Sequence, residues 1–130
     1  MKTHILKYRV PYADVDQMSV VYYANYFVYF ERGRNELLRS LGLTYKALED
    51  RGVMLPVIES YCKYIKSAHY DDDLEITTKM SNIKGIRMKM ECEIFRDGKK
   101  LVEGYTWHVS TDLKGKPCRI PTQLIKLFDF

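Results

Sequence analysis

What most constrains this chain is a change of period at Gly52. Before it, Phe27, Phe30, Leu37, Leu38 and Leu41 recur at helical spacing, with Tyr23 and Tyr26 on the same broad face. That spacing predicts one long helix from Tyr23 to Leu41, with Arg32, Asn35, Glu36 and Arg39 on its wet side and Gly42 as its stop. After Gly52, polar and apolar residues alternate with the two-residue period of strands. Ile86, Met88, Met90, Cys92 and Ile94, set against Arg87, Lys89, Glu91 and Glu93, form the cleanest two-faced strand.

The remaining segments follow from the same two periods. His4, Leu6, Tyr8 and Val10 alternate with their neighbours in a first strand that Pro11 ends. Thr44 is a good N-cap for a short second helix reaching Asp50. Residues 53–58 are apolar on both faces and predict a buried strand start, extended by Tyr61, Cys62, Tyr64 and Ile65. Leu74, Ile76, Thr78 and Met80 alternate after the acidic run Asp71–Asp73. Lys84–Gly85 and Asp97–Gly98 read as turns, the second leading into a strand from Leu101 to Thr111. Asp112–Gly115 is another turn, and residues 121–128 predict a short terminal helix. Short turns make antiparallel neighbours, so the expected class is α+β: about five antiparallel strands with one long helix on one face. Gly33 inside that helix costs about 1 kcal/mol against alanine, which predicts a close backbone contact.

The 130 residues fit one domain, taken as 1–130, and a single sheet layer of this size leaves apolar surface for another copy to cover. No run approaches the ~20 apolar residues of a membrane span, and the amino-terminal residues lack a signal-peptide core. Cys62, Cys92 and Cys118 are odd in number and without CxxC spacing, so a reduced, cytoplasmic protein without disulfides is expected. His4, His69 and His108 make no metal-ligand pattern, and neither a metal nor a cofactor is expected. A net charge of +4 suits an anionic ligand without saying which.

The densest functional signal is YADVDQMSVVYYANYFVYFERGRNELLRSLG, residues 12–42. It resembles the signature of hotdog-fold thioesterases of the 4-hydroxybenzoyl-CoA thioesterase and YbgC-like family: an Asp-x-Asp pair, a Val-Val-Tyr step, then Ala-Asn-Tyr opening a helix. The resemblance continues more weakly through YDDDLEI, EGYTWHV and GKPCRIP. It implies a hotdog fold, hydrolysis of acyl-CoA (or an acyl group on an acyl-carrier protein), and a homodimer or homotetramer with sites between subunits. It also implies that Asp16 is the catalytic carboxylate and that the Tyr23 backbone N–H donates to the oxyanion. Asp14 is left to organise the loop or pair with a basic side chain. Three positions depart from the family: Ser19 where glycine is common, Tyr23 where histidine is frequent, and Ser67–Ala68 for a Pro–Ala step.

The chemistry is sensible on its own terms. A carboxylate can attack a thioester carbonyl or activate water, and a helix start offers unpaired amides for the developing oxyanion. Val21, Tyr22 and Asn25 lie in the same motif and are expected to bind substrate, with Glu59 as a second acid approaching from a strand. Arg87 and Arg119 are the candidate phosphate partners, because arginine forks onto phosphate oxygens. Among the eleven tyrosines, those at helical spacing read as core or interface before ligand contacts. His108 reads as structural, and Cys62 and Cys92 as buried. The alternatives are a non-catalytic acyl-CoA or acyl-carrier sensor on the same fold, and a small RNA-binding domain. The latter needs aromatics on an exposed sheet face beside basic residues, and no nucleic acid is expected. A hotdog dehydratase lacks its histidine beside the helix.

Overall fold

Alternation in the sequence becomes alternation of burial. In the computed structural model, which describes residues 2–129, β4 (Arg87–Arg96) turns Met88, Met90, Cys92 and Ile94 inward to full burial. β3 (Asp73–Lys84) does the same with Leu74, Ile76, Thr78 and Met80. With β1 (Thr3–Arg9), β2 (Val57–Tyr64) and β5 (Lys99–Val109) they form one five-stranded sheet in the order β1-β3-β4-β5-β2, antiparallel throughout. The β4–β5 hairpin turns on Asp97 and Gly98, at φ 52° and 76°, the left-handed pair that an Asp–Gly turn supplies.

The long helix α1 (Asn25–Ser40) lies on the inner face and buries Tyr29, Phe30, Leu37 and Leu38 completely. Gly33 makes that approach possible. A Cβ there would run into the Thr78 hydroxyl and come within 3.0 Å of Ile76 Cγ2, so the predicted backbone contact is present. The core divides along the helix. Its first half packs Tyr26, Tyr29 and Phe30 on Leu74, Ile76, Cys92 and Ile94. The second half packs Leu37 and Leu38 on Met80, Met88 and Met90, with Ile120, Leu124 and Phe128 from the tail. α2 (Tyr45–Asp50) is capped by the Thr44 hydroxyl, which accepts from the Ala47 amide at 3.0 Å, and α3 (Thr122–Leu127) closes the tail. This is the α+β hotdog arrangement, a sheet wrapped around one long helix.

Three expectations need correction. α1 starts at Asn25, so Tyr23 precedes it and is 62% exposed instead of sharing its buried face. The segment 53–58 buries Val53 and Leu55, but β2 begins only at Val57, and Val57 and Ile58 face out. The cause is position: β2 is an edge strand, with β5 on one side only. For the same reason Cys62 is half-buried, while Cys92 in the middle of the sheet is fully buried.

Candidate active site

The Asp-x-Asp segment folds back on the residues entering α1. The Asp14 carbonyl accepts from the Tyr22 amide and from Asn25 Nδ2, both at 3.0 Å. Val15 bridges Val21, and the Asp16 amide donates to the Val20 carbonyl at 2.9 Å. Closing so tight a loop takes a left-handed residue, and Ser19 fills that place at φ 62°. There the family's glycine would sit without strain.

The two carboxylates meet opposite fates. Asp14 Oδ2 accepts from the Tyr29 hydroxyl at 2.9 Å and the Tyr8 hydroxyl at 3.4 Å, so of the two roles expected it takes that of organising the loop, with phenols as its side-chain partners and no ion pair among the described residues. Burial first, and then the neighbouring Asp14, push both phenols' pKa values up. Asp16 is exposed. Its Oδ1 accepts from the Met18 amide at 2.8 Å, and Oδ2 has no partner among the described residues.

The start of α1 is left open. The Tyr22 amide is taken by Asp14, and the Asn25 amide donates to the Tyr22 carbonyl at 2.8 Å. Between them, the Tyr23 and Ala24 amides have no acceptor among the described residues, and no side chain caps the helix. Two free N–H groups at the positive end of a sixteen-residue helix form a site for a developing negative charge. Tyr64 steadies the entry by donating its hydroxyl to the Tyr23 carbonyl at 3.2 Å. Burial and the adjacent Cys62 raise the Tyr64 phenol to about 12.

Asp16, Val21, Tyr22, Tyr23 and Asn25 therefore share one corner, with Val21 buried and the Tyr22 and Tyr23 rings 4.7 Å apart at the surface. Glu59, Arg87 and Arg119 do not join them within one chain. Glu59 stands opposite Trp107 in the β2–β5 register and interacts with the Tyr105 phenol, whose pKa it raises. Arg87 stacks over Trp107 at 4.9 Å, at the β3–β4 turn. Arg119 is exposed, and the next residue, Ile120, ties the tail to Gly85 by a 3.2 Å bond. Both arginines thus sit by the far end of α1, whose sixteen residues span ~24 Å.

Other candidates have structural partners. His108 is buried, with Nδ1 3.0 Å from the Leu55 carbonyl and Nε2 2.8 Å from the Thr106 hydroxyl. Burial lowers its pKa to about 4. Burial also pushes the Cys92 thiol up to about 12, far from nucleophilic use. Among the described residues no His, Cys, Asp or Glu cluster could hold a metal, and no helix is long and apolar enough to cross a membrane.

Sequence reading missed Arg34, which is only 7% exposed on the inner side of α1. The signal was present: Arg34 lies four residues after Phe30 and three before Leu37, within the apolar stripe.

Residues 10–128 match the profile of the thioesterase-like superfamily. The chain belongs to that superfamily. Within it, the Haemophilus influenzae acyl-CoA thioesterase YbgC is 33% identical over 122 residues, covering 92% of this chain and 90% of that one. A solved structure from Aquifex aeolicus aligns with a TM-score of 0.92 at 28% identity, over 96% of this chain and 98% of that chain. The DHNA-CoA thioesterase of Staphylococcus aureus aligns at 0.91 and 26% identity, over 99% and 90%.

Proposed function

We propose that this thioesterase-superfamily chain hydrolyses acyl-CoA thioesters to the free acid and coenzyme A. The observation that carries the mechanism is the pair of unpaired amides at the start of α1, beside an exposed carboxylate with one free oxygen. The thioester oxygen accepts from the Tyr23 N–H, which draws electron density from the carbonyl carbon; one such donor commonly contributes about 10²–10³ in rate. Asp16 then acts in one of two ways. It attacks the carbonyl carbon, expelling the CoA thiolate and leaving an acyl anhydride for water to cleave, or it takes the proton of a water that attacks directly. Either route consumes one water and yields one acid and one thiol. Val21, Tyr22 and Asn25 shape the corner in which this happens.

The working unit is a dimer or a dimer of dimers. β2 has a free edge and carries Val57, Ile58, Tyr61 and Tyr64, each between 45% and 51% exposed, which is a poor surface to leave in water. A second copy pairing along β2 covers it. It also brings other subunits' Arg87, Arg119 and Glu59 within reach of an acyl-CoA whose thioester sits at Asp16. An acyl-carrier protein presents the same thioester on the same pantetheine arm, and is the alternative acyl donor.

The test is thiol release from short, long and aromatic acyl-CoAs and from acyl-carrier thioesters, with Asp16→Asn as the paired control. Turnover of at least one thioester is expected, with loss of that turnover in a folded Asp16→Asn protein. Ligand binding without turnover in the unmodified protein would favour the sensor reading, and full activity in the variant would remove Asp16 from the mechanism.

A further inference from the structure

An arginine in a protein interior normally has a carboxylate or several carbonyls around its guanidinium, because an unpaired buried charge is strongly unfavourable. Arg34 has neither. Only 7% of it is exposed; no ion pair includes it among the described residues, its Nε is buried without a hydrogen-bond partner, and its two terminal nitrogens are left open to solvent. The one acid that shares a cavity wall with it is Glu31, on the preceding turn of α1. The charge is near enough to bias Cys92 and His108, and the nearest acid on the same helix, Glu31, forms no ion pair with it.

Arg34 also lines a cavity of about 230 Å³ with Phe27, Val28, Glu31, Ser60 and Thr106. This groove runs along α1 from its first turn, where Phe27 stands four residues beyond Tyr23, to the third turn at Arg34. Phe27, Val28 and Val57 make its apolar walls, and Glu31, Arg34, Ser60 and Thr106 its polar ones. Arg34 lies nine residues into α1 from Asn25, ~14 Å of axis, and a helical side chain leans back towards the N-terminus, which shortens the gap to Tyr23.

On the proposed thioesterase reading, we infer that Arg34 is the selectivity residue for the far end of the acyl group, and that the groove takes acyl chains ending in a carboxylate. The thioester sits at the Tyr23 amide, the methylenes pass Phe27 and Val28, and the terminal carboxylate pairs with the guanidinium, with the Ser60 and Thr106 hydroxyls beside it. A neutral chain end leaves the charge unpaired, and an un-ionised hydroxyl does not neutralise it. A carboxylate does.

The experiment compares octanedioyl-CoA, which ends in a carboxylate, with octanoyl-CoA, in the unmodified protein, Arg34→Met and Arg34→Lys. The unmodified protein is expected to prefer octanedioyl-CoA in kcat/KM by roughly 30-fold or more, as loss of a buried charge pair implies. Arg34→Met should lose that preference, read as the ratio of kcat/KM on the two thioesters, while Arg34→Lys should keep part of it. A second arm needs no turnover: octanoate should raise the thermal midpoint of the unmodified protein more than octanamide does, and Arg34→Met should abolish the difference. No thioester turnover with an intact octanoate response would overturn the thioesterase reading and leave the anion site standing. Equal rates on the two thioesters together with equal thermal responses would overturn the inference. So would a loss of dimer in both Arg34→Met and Glu31→Gln without any change in selectivity, since the missing counter-charge would then come from a second copy.

Discussion

Two helices in this chain begin in opposite ways. α2 starts from Thr44, whose hydroxyl accepts from the Ala47 amide, and the turn is closed. α1 starts from a run of aromatics, and among the described residues no side chain caps it and the Tyr23 and Ala24 amides have no acceptor. Capping typically contributes about 1 kcal/mol, so leaving the longer helix uncapped forgoes stability at the place proposed to hold the oxyanion. The same division separates the two acids of the loop: Asp14 is held by phenols, and Asp16 keeps an oxygen free.

The contrast breaks if substitutions at the two helix starts affect the same property. Asp16→Asn is expected to lower thioester turnover by about 10²–10⁴-fold while the thermal midpoint holds, because its exposed carboxylate supports no core contact. Steady-state thiol release together with a melting curve checks both. Next in size is a pH response set by the buried His108 on β5. His108 has a folded pKa of about 4 against ~6.5 unfolded, so the unfolded chain takes up the proton first as pH falls. Stability is therefore expected to be unaffected by this group above pH ~6.5 and to decline by about 3 kcal/mol between there and pH ~4. Urea unfolding across that range should show the slope, and His108→Gln should flatten it.

Thr44→Ala should cost about 1 kcal/mol in unfolding free energy and leave turnover unchanged. The smallest effect sharpens the comparison most. Tyr22→Asp places a carboxylate where it can cap α1, and is expected to add about 0.5–1 kcal/mol of stability while lowering turnover, since the cap competes with substrate for the same amides. Calorimetry and the thiol assay on the same preparation decide it.

Elements whose period was set by burial were legible in the sequence. β3 and β4 alternate cleanly because one face meets α1 and the other meets water, and α1, Gly33 and the Asp97–Gly98 turn follow from steric rules local to each. β2 misled because Val57 and Ile58 look like core, and a sequence does not mark which apolar strand is left at an edge for another molecule. The Asp16 corner was legible through its motif, whereas the phenols on Asp14 come from β1 and α1 and meet only in three dimensions. Arg34 was passed over because a charged side chain in an apolar stripe reads as a surface residue.

The central claim, a thioester held between a carboxylate and uncapped helix amides, is tested most directly by a crystal structure of Asp16→Asn with an intact acyl-CoA. The account predicts the thioester oxygen about 2.7–3.1 Å from the Tyr23 amide nitrogen, with the residue 16 side chain facing the carbonyl carbon. A thioester bound elsewhere, with those amides hydrated and residue 16 turned into solvent, would contradict it.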